Sequence, residues 1–369
     1  MPRPVDHAAR NRLGSMSGSG RISGPGGLSG PGTLSGATPV GEIIPLPDEP
    51  LSQLAAEHGL WPSAQRPPLL GYIRQIWQRR HFILTFATAR NVAMYTDARL
   101  GQLWQVLTPL LNASVYFLIF GLLLGTSRGI PNFLAFLVTG VFIFTFTQRS
   151  FLIAARVIND HLSLIRALRF PRACLPLAYV VVELQQLMLS MLVLFAIVLA
   201  SGEPLTWYWL LIIPALVLQA AFNVGAGMII ARTGAGVADF SQLLPFLLRT
   251  WMYLSGVIFS LRTLSRLGGH HTLQALLQAN PAAVYIDLVR NALLKSQRLS
   301  TPGSQPYNYA KCWWYGKHPS GKPYWSAYCH PAPLSSIRDL WLLGAGWALV
   351  AIVIGFLYFW HAEAVYGRG

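Results

Sequence analysis

Six uninterrupted apolar runs dominate the chain and limit what it can fold into. They lie at about residues 103–125, 133–155, 174–200, 207–231, 241–261 and 339–360. Each run has the roughly 20 apolar residues that an α-helix needs to cross a hydrocarbon core of about 30 Å. Only 11% of all residues are charged, whereas soluble domains carry about a quarter. The sequence therefore predicts an all-α membrane protein with six transmembrane helices.

Basic residues indicate how these runs are oriented. Arginines are concentrated before the first run and between the second and third runs: Arg74, Arg79, Arg80, Arg90, Arg99, Arg156, Arg166, Arg169 and Arg172. The short connections on the opposite side hold only Arg128 and Glu203. By the positive-inside rule, both termini lie in the cytoplasm and the protein is a multi-pass protein of the cell membrane. Residues 262–338 then form an external loop, and loops this long largely escape the rule.

Composition divides the chain into three parts. Residues 1–68 are rich in Gly, Ser and Pro and bury too little apolar surface to offset their chain entropy, so we expect a disordered cytoplasmic tail. Residues 69–101 place apolar side chains such as Tyr72 and Trp77 at helical spacing beside arginines. This pattern predicts an amphipathic helix at the membrane interface. Residues 102–369 form the transmembrane domain.

Several chemistries are excluded by the motifs that the sequence lacks. The net charge of +15 is not accompanied by a nucleic-acid-binding motif. No GxxxxGK[ST] phosphate loop, HExxH or CxxC occurs, and the pair His270 and His271 indicates a solvated loop rather than a metal site. We therefore expect no catalytic residue, no metal and no cofactor in this chain, and no nucleic-acid partner.

Three charged residues lie inside the apolar runs. Arg149, Glu183 and Arg249 are about seven to ten residues from the predicted cytoplasmic ends of their runs, which gives them similar depths of roughly 10–15 Å. Isolated charges at such depths cost several kcal/mol, so they pair with one another or face water. Two interpretations stay open, a structural ion pair and a polar lining for a hydrophilic substrate.

The connection between the second and third runs contains a short amphipathic segment that starts at Asn159. Leu162, Ile165 and Leu168 form an apolar stripe, and Pro171 ends the segment. Such a segment is either an ordinary interfacial helix or a docking helix for a soluble partner.

The predicted external loop is rich in tyrosine and tryptophan between Tyr307 and Tyr328, and Cys312 and Cys329 bracket most of this stretch. An external location permits a disulfide between the two cysteines, which would stabilise the loop by about 3 kcal/mol. The aromatic side chains either stack on sugar rings or form a cap at the lipid interface, where Trp and Tyr concentrate.

Several short motifs resemble one known family. Leu100-Gly101-x-x-Trp104-x-x-x-x-Pro109 resembles the entry to the first span of ABC-2 type polysaccharide exporter permeases, which export O-antigen, capsule and teichoic acid. Further matches follow in order along the chain: Phe120-Gly121, Gly140, Asn159 through Phe170-Pro171, and Asn280-Pro281 with Arg290. The resemblance covers about residues 70–369. The C-terminal stretch from Glu363 and the cysteine-bracketed loop are most similar to the actinobacterial, mycobacterial-type galactan exporter.

The resemblance implies a homodimer that works with two copies of a separate ABC ATPase subunit, which would hold ATP and Mg. It implies short re-entrant helices within residues 273–294 and a coupling helix whose residues include Asn159, Leu162, Ile165, Arg166, Arg169, Phe170 and Pro171. The implied substrate is a lipid-linked polysaccharide, here a galactan on polyprenyl diphosphate, moved from the cytoplasm to the outside.

Candidate substrate residues follow from the chemistry of such a substrate. Arginines suit a diphosphate head group, and aromatic residues suit sugar rings. The expected set is Arg74, Arg79, Arg80, Arg90, Tyr116, Phe120, Phe142, Arg149, Glu183, Arg249 and Tyr253. The alternatives are a polyprenyl-linked glycan polymerase or ligase, which would place catalytic carboxylates or histidines at a membrane face, and a passive channel, which needs no ATPase.

Overall fold

A computed structural model describes residues 68–363, with gaps at 95–99, 102, 124–129, 131, 169, 238, 262–270 and 296–336. The predicted N-terminal tail, Arg169, Cys312 and Cys329 lie outside the described residues, as does most of the predicted external loop. In chain order the described α-helices are α1 Leu69–Gln78, α2 Arg80–Ala93, α3 Leu103–Tyr116, α4 Phe133–Ala154, α5 Val157–Asp160, α6 Leu162–Ala167, α7 Cys174–Ala200, α8 Ile212–Gly236, α9 Phe240–Leu254, α10 His271–Gln278, α11 Pro281–Leu293 and α12 Ile337–His361. The described residues contain no β-strand, so the all-α prediction is confirmed.

Five segments of the described chain are long and apolar enough to cross a membrane. They are Val106–Leu123, Phe133–Ala154, Cys174–Ala200, Trp207–Gly236 and Ile337–His361. The first joins α3 to a π-helical stretch, Phe117–Leu123, and the fourth joins a short 3₁₀ helix, Trp207–Leu211, to α8. The multi-pass membrane prediction is confirmed by these five segments.

The remaining predicted span, at residues 241–261, is organised differently. Helix α9 has 15 residues, or about 22 Å at 1.5 Å per residue, which is short of a hydrocarbon core of about 30 Å. The chain turns directly after α9, where Gly256 has φ 66°, a conformation that glycine adopts without steric cost. The count of six spans therefore stays a prediction.

Two short helices, α10 and α11, precede α12 where the resemblance places re-entrant helices. Asn280 caps α11, because its side-chain oxygen accepts a hydrogen bond from Ala282 N–H at 3.2 Å, and Pro281 occupies the first helical position. The Asn280 amide also accepts from Trp251 Nε1 at 2.8 Å and donates to Ser255 Oγ at 3.0 Å. These bonds hold the start of α11 against the end of α9.

Helix α4 lies at the centre of the fold and contacts α3, α7, α8 and α11. The buried side chain of Arg290, in α11, holds the neighbouring segments together. Its guanidinium donates to the carbonyl oxygens of Phe136, Gly256 and Val257 at 2.8–3.2 Å. Four charge-assisted bonds satisfy the buried cation, and they join α4, α11 and the turn after α9.

Helices α8 and α12 approach each other closely. Gly225 of α8 and Gly355 of α12 face each other's helix, and a Cβ atom at either position would overlap the partner helix's backbone. Small residues permit this approach, which gives membrane helices close van der Waals contact.

Candidate functional site

A small polar pocket with a cavity volume of about 20 Å³ lies between α3, α4 and α7. We call it the polar pocket. Its lining combines charged, amide, hydroxyl and aromatic side chains: Pro109, Phe142, Thr145, Phe146, Arg149, Glu183, Gln186, Leu187 and Ser190. Three of the predicted substrate residues, Phe142, Arg149 and Glu183, are thus brought together by helices that are distant in sequence.

The two charged groups of the polar pocket lie near each other without forming an ion pair. Arg149 Nη1 donates to Gln186 Oε1 at 3.0 Å, and no ion pair joins Glu183 to Arg149 or Arg249 among the residues that the structure describes. The Glu183 side chain is only 3% exposed. The polar-lining interpretation of Arg149 and Glu183 stays a prediction.

Other predicted substrate residues lie apart from this pocket, where α3 meets α9. Tyr116 donates to Met252 Sδ at 3.8 Å, and its ring centroid is 6.5 Å from that of Phe120. Arg249 and Tyr253 lie on the exposed side of α9, within electrostatic reach of Tyr116. Together with the four arginines of the N-terminal helices, the predicted set therefore divides into three groups.

The α4–α7 connection forms two short helices rather than the single coupling helix that the sequence suggested. The break falls at His161, whose Nδ1 lies 2.9 Å from the Val157 carbonyl and whose Nε2 lies 3.1 Å from Tyr179 Oη. Asn159 donates to the Gly234 carbonyl at 3.2 Å. The connection is therefore anchored to α7 and α8 by its own polar groups.

The apolar stripe of this connection faces inward. Ile165 is 7% exposed and packs in a cluster with partly buried Leu162 and Phe170, whereas Leu168 is 51% exposed. Pro171 is buried and Arg166 is exposed. The exposed surface of the connection is thus formed around Ser163, Arg166 and Leu168 rather than by Ile165.

The amphipathic region folds as two helices, α1 and α2, with the boundary at Arg79. The side chains of Arg74, Arg79, Arg80 and Arg90 are all exposed, and the Arg80 guanidinium lies 5.4 Å from the Trp77 ring. Helix α2 packs against α7 through Ile83 and Ala87. Each of the four arginines is therefore exposed, and their shared role in binding a head group stays a prediction.

Sequence reasoning missed a buried polar cluster that joins three distant segments. Tyr72 Oη donates to Glu363 Oε2 at 2.8 Å and accepts from Ala173 N–H at 3.2 Å. Glu363 Oε1 accepts from Arg172 N–H at 3.0 Å, and the Arg172 guanidinium donates to the Glu363 backbone carbonyl. We call these four residues the Tyr72–Glu363 cluster. The sequence shows Glu363 near the C-terminus, but it does not show which distant residues contact this carboxylate.

Both titratable groups of the Tyr72–Glu363 cluster are perturbed. Burial raises the pKa of the Tyr72 phenol, and the neighbouring Glu363 carboxylate raises it further. Burial also raises the pKa of Glu363, while the hydrogen bonds from Arg172 and Tyr72 act in the opposite direction. Glu363 lies at the N-terminal end of α7, where carboxylates satisfy unpaired N–H groups and the helix dipole.

Known proteins resemble the chain across the region that holds the polar pocket and the α4–α7 connection. The ABC-2 type transporter family matches residues 82–294, more than half of the chain. The O-antigen export system permease protein RfbA of Myxococcus xanthus is 27% identical over 196 residues, which are 53% of this chain and 75% of the relative. The RfbA protein of Klebsiella pneumoniae is 27% identical over 169 residues, which are 45% of this chain and 64% of the relative.

These matches confirm the resemblance drawn from the sequence motifs, although they do not bear on a galactan-specific relationship. They also confirm that the chain is a transporter subunit rather than an enzyme. The match and the five apolar helices together identify a multi-pass membrane permease. The chain belongs to the ABC-2 type transporter family.

Proposed function

We propose that this chain is the permease subunit of an ATP-driven exporter that moves a lipid-linked cell-envelope polysaccharide out of the cytoplasm. The similarity to O-antigen export permeases carries this proposal. The structure adds physical support, because three of the five apolar segments border a pocket lined by the polar side chains of Arg149, Glu183 and Gln186. The finer substrate that we propose is a galactan on polyprenyl diphosphate, which rests on the resemblance of the C-terminal stretch and the cysteine-bracketed loop.

The energy source is a separate ABC ATPase subunit that binds ATP and Mg, since the sequence has no phosphate-binding loop. Its docking surface is the α4–α7 connection, where Leu168 is 51% exposed beside Arg166. The connection is well suited to transmit force, because Ile165 and Asn159 anchor it to the transmembrane helices. The positive-inside rule places this face and both termini in the cytoplasm of an inner-membrane protein.

The functional unit is a homodimer, and α9 offers a surface for the second copy. Phe246 is 68% exposed and Leu243 is 53% exposed, and Gln242 and Arg249 lie on the same helix with exposed side chains. Lipid tails solvate the apolar side chains, but they offer no hydrogen-bond partner to the Gln242 amide or the Arg249 guanidinium. Leaving these polar groups unpaired in lipid costs several kcal/mol. A second protein copy, or a water-filled path between two copies, satisfies both kinds of group.

Depletion of the protein in its native cell tests the function. Synthesis precedes export, so radiolabelled polymer of full length is expected to accumulate on the cytoplasmic side of the membrane. Depletion of the partner ATPase is the matched control and is expected to give the same result. Polymer that fails to elongate would instead support a glycan polymerase or ligase, and unchanged distribution after ATPase depletion would support a passive channel.

A further inference from the structure

The polar pocket brings together charged and polar side chains of two facing helices. Helix α7 contributes Glu183, Gln186 and Ser190, whose spacing places them on one face of the helix. Helix α4 contributes Arg149, which donates to Gln186 Oε1 at 3.0 Å and interacts electrostatically with Glu183. The Glu183 side chain is 3% exposed and, within the part of the chain that the structure describes, accepts no hydrogen bond. The pocket therefore contains a buried carboxylate that lacks a direct hydrogen-bond partner.

The volume of the pocket limits what can satisfy this carboxylate. The cavity measures about 20 Å³, and a polar cavity of roughly 10–15 Å³ on the same measure is enough for one water molecule. A phosphate group or a sugar ring is several times larger. The apolar walls are Pro109, Phe142, Phe146 and Leu187, so they do not compete for hydrogen bonds.

We propose that one ordered water molecule occupies the polar pocket and bridges the Glu183 carboxylate to the Arg149 guanidinium. The water donates one hydrogen to a carboxylate oxygen and accepts a hydrogen bond from the guanidinium. This bridge lets two charges on neighbouring helices compensate each other without direct contact, and it joins α4 to α7. The inference concerns the stability of the helix bundle and does not depend on the proposed export function.

The lining supplies the hydrogen bonds that a buried water requires, which is about three for each molecule. The Arg149 guanidinium carries several N–H donors, and its bond to Gln186 occupies one of them. The hydroxyls of Thr145 and Ser190 donate to carbonyls of their own helices at 2.6 Å and 3.1 Å, so both oxygens are left to accept. The second hydrogen of the water therefore goes to a hydroxyl oxygen.

A bridging water is compatible with the bond that Arg149 already forms. The guanidinium is positioned by Gln186, which lies one helical turn from Glu183, and the water spans the remaining distance. A water-mediated hydrogen bond is enthalpically close to a direct one, apart from the entropy of fixing the water. A carboxylate inside a membrane span without such a bond would be strongly unfavourable. The bridge therefore keeps both the amide bond and the charge compensation.

Hydroxyl-radical footprinting of the purified full-length protein in lipid nanodiscs tests for the water, because radicals formed from a bound water modify the side chains beside it. Phe142 and Phe146 line the pocket and are 1% and 2% exposed. Phe144 lies between them on α4, is also 1% exposed, and packs against Trp251 instead. We expect modification of Phe142 and Phe146 and none above background at Phe144.

Water that contains heavy oxygen distinguishes a bound molecule from bulk solvent. After rapid mixing, incorporation of the label at Phe142 and Phe146 is expected to lag behind incorporation at Trp207, which is 88% exposed. Simultaneous incorporation would show that the pocket is open to bulk water. Absence of modification at both phenylalanines would show that the pocket is dry. Either result would overturn the inference.

Ser190→Val tests the bridge energetically, because the added methyl groups fill the pocket and displace the water. The matched control is Ser114→Val, since the Ser114 hydroxyl also donates to a carbonyl of its own helix, at 2.9 Å, but is exposed and lies outside the pocket. Ser190→Val is expected to abolish labelling of Phe142 and Phe146 and to lower the thermal-unfolding midpoint. Ser114→Val is expected to change neither.

A background without the two charges separates loss of the water from overpacking. In a protein that carries both Glu183→Gln and Arg149→Gln, no charges remain to be bridged. Ser190→Val should therefore lower the midpoint much less in that background than in the unmodified protein. An equal loss in both backgrounds would indicate overpacking alone and contradict the bridge. If Ser190→Val does not fold, the footprinting of the unmodified protein decides by itself.

Discussion

Removal of the Tyr72 hydroxyl should release α1 from the rest of the fold. Tyr72 is 1% exposed and is the buried residue of α1. Its hydroxyl forms two hydrogen bonds, one to the Glu363 carboxylate and one to Ala173 N–H. A hydrogen bond to a charged group contributes about 1.5–3 kcal/mol, so Tyr72→Phe is expected to lower the free energy of local opening of α1 by about 2 kcal/mol.

Hydrogen exchange measures this local opening. A loss of about 2 kcal/mol corresponds to roughly thirtyfold faster exchange, at 1.4 kcal/mol per factor of ten. The acceleration is expected in residues 69–78 and at the start of α7, while α4 stays protected because its contacts are unchanged. Tyr358→Phe is the matched control, since the Tyr358 ring lies 3.8 Å from the Arg232 guanidinium and this variant keeps the ring.

Glu363 gives an independent check through a double-mutant cycle. Glu363→Ala alone leaves the Tyr72 hydroxyl and the Arg172 N–H without their acceptor, so it is expected to accelerate exchange more than Tyr72→Phe does. The double variant should show less than the sum of the two losses, because both variants remove the same bond. Additive losses, or no acceleration of α1 exchange in Tyr72→Phe, would refute the assignment of the Tyr72–Glu363 cluster as the anchor of α1.

Three further predictions follow from the sequence and the fold. A single cysteine introduced at Ser304 is expected to react with an impermeant reagent added to intact cells, and one at Ser163 is not. Labelling at Ser163 would contradict the predicted topology. Cys312 and Cys329 are expected to appear as one linked peptide in non-reducing mass spectrometry, and two alkylated free thiols would rule out the disulfide. Arg290→Gln is expected to lower stability by about 3–5 kcal/mol, because several carbonyls lose a buried charged donor; a thermal-unfolding midpoint equal to that of the unmodified protein would contradict this role.

The membrane class of the protein follows from the sequence because it depends on local composition. A run such as 174–200 has no charged residue except Glu183 and is apolar enough to cross a bilayer in any tertiary context. The clustering of arginines in short connections is likewise local, so orientation is predicted without a fold. The helical character of the α4–α7 connection was predicted for the same reason, since Pro171 and the spacing of apolar residues indicate a short helix by themselves.

Tertiary structure decided the features that depend on residues distant in the chain. The run at 241–261 has the hydropathy of a span, yet the helix ends at Leu254 because Arg290 binds the carbonyls of Gly256 and Val257. The sequence placed Ile165 on the apolar stripe of either an interfacial or a docking helix, and the fold buries it in a cluster with residues of α7. Hydropathy records the preference of each residue for lipid, but the partner of a buried charge depends on which helices meet.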